Sequence, residues 1–272
     1  MSRAVLAWVL ERLERGDKVA LASIVEASGS VPGKPGARMA LTNRGERKGT
    51  VGGAGLELKV ENHLNEMLSG NSITNKVENY ILHRDAKGNE SNVLNSICGG
   101  QVTISLEVLE PMPHILIAGG GHCGKALADV CENLGWSHSV YDIRSEYSNH
   151  ELYPNSLENH HGDLNGFLSS LSDGGFFRFS DILLLGHDWS IDQELLIGIL
   201  KIRGNERRPR IGAIGSRSKW NVFRKAAIDQ GISEEDIDSV RCPIGINIGA
   251  ESPEEIAIAI SAEIMMFEKK LS

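Results

Sequence analysis

Long apolar runs are missing from this 272-residue chain. No window approaches the roughly 18 to 20 uninterrupted apolar residues that a membrane-spanning helix needs, so no membrane span is expected. Cysteine is scarce as well. The four cysteines, at 98, 123, 131 and 242, form no CxxC pair and no metal-finger spacing, which argues against a structural zinc site or a disulfide framework. Reduced thiols and a cytoplasmic location are the expectation that follows. Positive charge is in deficit: 28 Lys and Arg stand against 36 Asp and Glu, a net charge of -8 that disfavours nucleic acid as the main partner. Internal repeats and low-complexity segments are absent too. The opening stretch MSRAVLAWVLERLERGD is broken by Glu11 and Arg12 and followed by no small-residue cleavage site. It reads as an amphipathic first helix, with Val5, Leu6, Val9, Leu10 and Leu13 at helical spacing, and not as a signal peptide.

What is present falls into two halves with different patterns. Residues 19–110 read as mixed α+β. VALASIVEA suits a strand, RMALTNRGERKGTV two short strands joined at Asn43-Arg44-Gly45, and GLELKVENHLNEMLSG a helix stopped by Gly70. NKVENYIL and QVTISLEVL suit two further strands. Pro111 and Pro113 interrupt this pattern, which gives an expected N-terminal domain of residues 1–110 and a second of 111–272. From His114 the order becomes β-α-β: ILIA, HCGKALADVCENLG, SHSVYD. After a less regular stretch DILLLG, IDQELLIGILKIRG, RIGAIG and SKWNVFRKAAIDQG continue the alternation. SPEEIAIAISAEIMMFEKK closes the chain, with Ser252 as N-cap, Pro253 at the first helical position and Glu255 completing a capping box. The fold class is therefore α/β: a C-terminal Rossmann-like parallel sheet with helices on both faces, preceded by a smaller α+β domain. Two basic clusters, Lys34, Arg38, Arg44, Arg47 and Lys48, and Arg203, Arg207, Arg208 and Arg210, read first as solvated surface charge.

The stretch HILIAGGGHCGKALADVCENLGWSHSVYDIR carries the clearest chemical signal. Gly119, Gly121 and Gly124 fit GxGxxG between a strand and a helix. The first glycine allows the tight turn, the second lets a pyrophosphate approach the backbone, and the third lets helix and strand pack closely. The helix N-terminus offers free N–H groups and a positive dipole end to an anion. Asp142 ends the next strand, where an acid can bond ribose hydroxyls. Two readings stay open: a nucleotide-type site, or glycines that serve turn and packing alone. A hydride-transferring enzyme would further need a group to polarise or deprotonate its substrate. His187, Asp188 and Asp192 in LLLGHDWSID, and His122 inside the glycine loop, are candidates, but spacing assigns none of them. An NAD(P)-dependent oxidoreductase remains the alternative.

Outside the glycine loop, ASIVEASGSVPGKPGARMAL, GTVGGAGLE and CGGQVTISLEVL resemble the N-terminal domain of the xanthine dehydrogenase accessory proteins, the XdhC/CoxI family. HILIAGGGHCGKALA, LLLGHD, IGAIGSRSK and PIGINIGAESPEEIAIAISAEI follow in that family's order, so the resemblance spans nearly the whole chain. The most restrictive element is PIG-x-x-IGA-x-x-PEEIA-x-x-I-x-AEI. Two positions depart from the family pattern: Gly52-Gly53-Ala54-Gly55 holds no thiol where many members carry SGGC, and Asn247 replaces a common aspartate.

The resemblance implies a cytoplasmic chaperone, with no independent turnover, that holds the molybdenum cofactor, as molybdopterin or its dinucleotide form. It would assist sulfuration and pass the product to the apo-enzyme of a molybdenum hydroxylase such as xanthine dehydrogenase. It also implies a homodimer and a cysteine desulfurase as a further partner. On that view Gly119, Gly121 and Gly124 hold a phosphate, with Asp142, His122 and His187 nearby, while Arg38, Gly52, Gly53 and Cys98 face the pterin and metal end. Arg217, opening another expected helix, offers a second planar donor fork. Cys98 is the one cysteine in a matched motif. A thiolate there can carry a persulfide or meet a soft metal–sulfur centre; alternatively it is a small buried apolar residue. Cys123, at the first turn of the glycine-loop helix, has the position for a depressed pKa, although packing is the preferred reason for it; Cys131 and Cys242 read as core.

Overall fold

A computed structural model describes residues 2–70, 75–83, 93–95, 99–204 and 208–269. The chain divides into two compact units, Met1–Pro111 and Met112–Ser272. Among the described residues no helix is long and apolar enough to cross a membrane.

The first unit contains helices α1 (Ser2–Glu14) and α2 (Ala54–Leu68) and strands β1 (Val19–Gly29), β2 (Arg38–Thr42), β3 (Arg47–Gly49), β4 (Lys76–His83), β5 (Val93–Asn95) and β6 (Gly100–Leu109). The sheet runs β3-β2-β1-β6-β4-β5, antiparallel except for the β4–β5 pair. Alternation along β1 explains the layering. Ala20, Ala22 and Ile24 face one side and pack with Leu56, Val60 and Leu64 of α2. Val19 and Leu21 face the other and pack with Val5 and Val9 of α1. Strand β5 is not legible in the sequence; it is a three-residue strand with no alternation to betray it.

The second unit has the parallel sheet expected. Its strands are β7 (His114–Ala118), β8 (Ser137–Asp142), β9 (Asn159–His161), β10 (Asp181–Leu184) and β11 (Arg210–Ala213), in the order β11-β10-β7-β8-β9. Its helices are α3 (His122–Leu134), α4 (Leu164–Ser170), α5 (Trp189–Arg203), α6 (Arg217–Asp229), α7 (Glu234–Asp238) and α8 (Pro253–Glu268). Strand β7 is buried throughout. Leu116 and Ala118 pack on one face with residues of α4, α5 and α6, while Ile115 and Ile117 pack on the other with Leu127 and Cys131 of α3 and Ile260 and Ile264 of α8. Both faces are covered, which is why the strands read as continuous apolar runs. The capping box of α8 is present as read, Ser252 and Glu255 bonding each other's backbone.

Most of the described basic residues flagged by the sequence are structural. Arg210 makes a fork to the fully buried Asp181 (Nε–Oδ1 3.0 Å, Nη2–Oδ2 2.6 Å) and reaches Glu268 on α8. Arg203 is buried against Asp236 and Ser239, and Arg47 pairs with Glu57 and Glu61 of α2. For Arg203 and Arg210 this corrects the expectation of solvated surface charge: both are largely buried in ion pairs, one joining α5 to α7 and the other joining β11 to α8.

Candidate functional site

In the second unit the chain runs outward from β7 through β8 to β9, then returns to place β10 on the other side of β7. The carboxyl ends of β7 and β10 therefore form a topological switch point, where open parallel sheets hold ligands. A small cleft of ≈ 20 Å³, open to solvent, lies there. Its lining includes Ala118, Gly119, Tyr141, Asp142, Gly186, His187, Asp188 and Asp192.

The loop from β7 to α3 shows why each glycine is a glycine. Gly119 has φ +117°, and an added Cβ would lie 2.5 Å from the Gly186 nitrogen; a Cβ on Gly124 would run into the Gly119 carbonyl oxygen. Both are required by the chain itself, the first for the turn beside β10 and the second for close helix–strand packing. Gly121 differs. It is the N-cap of α3, with extended φ -73°, no side-chain cap bond, and nothing within 4 Å of the position a Cβ would take. Its missing side chain leaves open space in front of an uncapped helix N-terminus, as an approaching phosphate requires.

Sequence reasoning missed the residue between them. Gly120 donates its N–H to Asp142 Oδ2 (3.0 Å), and its carbonyl accepts from the Tyr153 hydroxyl (2.8 Å). A Cβ there would overlap the Tyr147 carbonyl oxygen. Only the tertiary approach of the 145–153 segment imposes this, so GxGxxG carries no sign of it.

Asp142 stands at the end of β8 as expected, but its oxygens are taken. Arg144 donates its backbone N–H and Nε to Oδ1 and Nη2 to Oδ2, each at 3.0 Å, and Gly120 supplies the remaining bond. Burial pushes the carboxyl pKa up, yet these hydrogen bonds outweigh it and hold the group below its ordinary value. Asp142 thus lines the cleft while accepting four hydrogen bonds from its own chain, about as many as a carboxylate has lone-pair sites.

Across the cleft, Asp192 in the first turn of α5 is 3 % exposed and bonds Lys219 Nζ at 2.9 Å. Burial raises its pKa, and Lys219 only partly offsets that. Lys219 was not singled out in GSRSK, although it stands three residues after the Ser216 N-cap of α6, where it reaches back over the strand ends. Asp188 caps α5 by accepting the Ser190 N–H (2.9 Å), the structural role that competed with a catalytic one. His187 lines the cleft with an exposed side chain, and His122 is exposed on the first turn of α3. Arg217 is exposed at the start of α6 and is not among the lining residues of the cleft. Burial and the nearby Glu254 raise the Cys123 pKa, which corrects the suggestion that the helix N-terminus depresses it. The buried Cys131 thiol is pushed up to about 12.

In the first unit three glycine-rich segments meet at one corner. Ser30 donates its N–H to the Gly99 oxygen (2.9 Å), and a Cβ on Gly100 would strike the Ser28 oxygen at 2.5 Å. Gly52 and Gly53 have φ of +82° and +79°, with Pro32 within 3 Å of an added Cβ on either. Thr50 and Glu57 both accept the Gly52 N–H, at 3.0 and 3.3 Å. Arg38 opens β2 and donates to the Ser2 hydroxyl and to the Gly36 carbonyl (3.5 Å). Gly52 and Gly53 thus have packing reasons to be glycine. Cys98, which adjoins this corner in sequence, lies outside the described residues. Among the described residues no cluster of His, Cys, Asp and Glu is arranged to hold a metal ion.

Comparison with known proteins matches residues 115–264 to the XdhC Rossmann domain and residues 12–80 to the XdhC and CoxI family. The Escherichia coli protein designated "Uncharacterized protein YqeB" is 30% identical over 252 residues, covering 93% of this chain and 44% of its own length. A Bacillus subtilis protein described as a probable xanthine dehydrogenase component is 27% identical over 168 residues, covering 61% of this chain and 46% of its own. The chain therefore spans less than half the length of these relatives. A crystal structure described as a xanthine dehydrogenase from Bacillus halodurans superposes with a TM-score of 0.47 at 18% identity, covering 97% of this chain and 96% of that one. With its Rossmann unit matched over more than half of its length, the chain belongs to the XdhC and CoxI family.

Proposed function

We propose that this protein is an accessory factor for a xanthine dehydrogenase or related molybdenum hydroxylase, holding the molybdenum cofactor as cargo and handing it to the apo-enzyme. One observation carries the reading: Gly121 leaves open space at the uncapped N-terminus of α3, beside the cleft at the switch point, in a chain of this family. The residues present fit the phosphate end of that cargo. The amides of the first turn of α3 would donate to phosphate oxygens, and the helix dipole would favour their charge. When bound, the cofactor supplies the molybdenum centre whose oxygen is exchanged for sulfur. The chain's own part is to bind, orient and release it. The Gly52–Gly55 loop, Arg38 and Cys98 would face the pterin and metal end, with Cys98 as the thiol that meets sulfur or molybdenum. A cysteine desulfurase as sulfur source and a homodimeric state complete the proposal.

The test is co-expression with molybdopterin synthesis, followed by molybdenum and phosphorus analysis of the purified protein. Wild type is expected to carry both, and Gly121→Val to lose at least about tenfold in affinity, because the new side chain fills the space before the amides. Equal affinity of the two proteins overturns the placement. Unchanged activation of the target hydroxylase by Cys98→Ala removes the thiol from the mechanism.

The Asp192–Lys219 pair favours a second reading, an NAD(P)-dependent oxidoreductase. A buried carboxylate with a raised pKa, beside the end of β10, stands where a reacting ring would lie. Co-purified nicotinamide together with unaided substrate turnover would select it.

A further inference from the structure

Helix α5 contributes to two separate hollows of the second unit. Asp192 lines the strand-end cleft, whereas the next residue, Gln193, lines a groove of ≈ 660 Å³ formed where α5 packs between α4 and α6. Gly198 helps to open that groove. A Cβ there would lie 2.4 Å from the Leu168 side chain of α4, so Leu168 can rest on a stretch of α5 that carries no side chain. Leu164, Leu168 and Ile197 are only partly buried, packing on the core with one side and lining the groove with the other. The polar groups of the groove are unevenly matched. Lys201 Nζ donates to Gln230 Oε1 at 3.3 Å. Glu194 and Asp229 are exposed, and neither carboxylate has an ion pair or hydrogen bond among the described residues. Gln193 Oε1 is buried without a hydrogen-bond partner. An unsatisfied buried acceptor is unfavourable, and a donor entering the groove relieves it.

We infer that the groove between α4, α5 and α6 docks a basic segment of a partner protein, anchored by an arginine set between apolar residues. Two unpaired carboxylates against one ammonium, apolar walls and a vacant buried acceptor define the complement: a long side chain with an apolar stem, a positive head and several N–H donors. Arginine has that form. Its stem packs on Leu168 and Ile197 while its planar head serves an acceptor and a carboxylate together. The volume lies in the range that accommodates such an anchor with its neighbours. The chain's net charge of -8 steers a basic partner toward it. Because groove and cleft use different residues of α5, the partner docks without entering the cleft, and the inference does not depend on which cargo the cleft holds.

The test titrates the full chain with a blocked peptide, acetyl-Leu-Arg-Leu-Arg-Leu-amide, and with its citrulline counterpart, which keeps the shape and loses the charge. The arginine peptide is expected to bind with a Kd of about 0.1 mM or tighter, and the citrulline peptide about tenfold more weakly. Glu194→Gln and Asp229→Asn remove exposed charges and are each expected to weaken the arginine peptide by up to about fivefold. Gln193→Met is expected to weaken it about tenfold while leaving Tm unchanged or raised, because an unsatisfied acceptor is removed. A merely structural Gln193 would lower Tm and leave peptide affinity as it was. Glu235→Gln, an exposed acid on α7 outside the groove, controls for general attraction to an acidic protein and is expected to change nothing. No binding at about 1 mM, equal affinity for the two peptides, or a loss from Glu235→Gln as large as from the groove variants overturns the inference. Self-association of the chain that Asp229→Arg abolishes also overturns it, giving the groove to a second copy. The accessory role fails separately: protein that carries no molybdenum after co-expression but still separates the two peptides loses the cargo and keeps the groove.

Discussion

The two units use glycine at high density for different reasons. At the corner of the first unit, Gly33, Gly52, Gly53 and Gly100 each face backbone or proline atoms closer than 3 Å to any added Cβ. Three loops pass so tightly that side chains are excluded by the chain itself. In the second unit Gly119, Gly120 and Gly124 are of that kind, but Gly121, between them, faces nothing. Within the glycine loop Gly121 is the N-cap of α3 with no atom that excludes a side chain, which is the space the proposed phosphate would use. One composition signal thus has two causes, and only the neighbours of each Cβ separate them.

Substitutions and acid can sharpen that contrast or break it. The largest effect is expected from Gly120→Val. With the Tyr147 oxygen overlapping the first added carbon, the β8–α4 connection cannot close, and a loss of more than about 4 kcal/mol is expected in denaturant melts. Native-like stability in that variant would show that the 145–153 segment does not rest on the loop.

Next comes acid sensitivity, which is expected to be stronger in the second unit. Burial first, then Arg178, lowers the His114 pKa from 6.5 to about 4. The folded state keeps the ring neutral while the unfolded chain takes up a proton below 6.5, so this contribution is complete above pH 6.5 and lost as pH falls toward 4. Its full size is roughly 3 kcal/mol. Hydrogen exchange of β7 and β8 should accelerate across this window, and His114→Gln should flatten the slope. An unchanged slope would assign acid lability elsewhere.

A smaller cost is expected for Gly52→Ala. A positive φ and the Pro32 oxygen at 2.8 Å together predict a loss of about 1–3 kcal/mol, read from thermal melts. The smallest effect on stability belongs to Gly121→Val, within about 1 kcal/mol of wild type, since its extended φ suits any residue and no atom is in the way. Its effect should appear in phosphate-ligand affinity instead. Should it destabilise the fold as much as Gly120→Val, the contrast between internal and external causes disappears.

Much of the architecture was legible in the chain. The strands ILIA, SHSVYD and DILLL, the helices between them and the capping box at Ser252 all have local causes: apolar runs, 3.6-residue periodicity and cap chemistry. The three-residue strands β5 and β9 were not legible, because they are defined by a neighbour's ladder and carry too few residues for a pattern. Of the residues singled out at the site, Gly119, Asp142, His187, Asp188 and Asp192 line the cleft, because strand ends are readable, while Gly121, Gly124 and His122 are not among its lining residues. The partners of Asp142 and Asp192 were not legible. Arg144 stands two residues past Asp142 in DIR, and Lys219 ends GSRSK; either could have been flagged as a basic residue beside a strand end, but neither announces which carboxylate it holds.

The sequence alone determined the order of elements, the all-parallel second sheet and the family motifs, because each follows from residues close along the chain. Tertiary structure alone decided that Asp142 accepts four intrachain bonds, that Asp192 is paired and buried, and that Gly121, unlike Gly119, Gly120 and Gly124, has open space before it. Those properties belong to distances between segments far apart along the chain, such as Gly120 with Asp142 or Asp192 with Lys219, and hydrogen-bond saturation and excluded volume exist only once the segments have met.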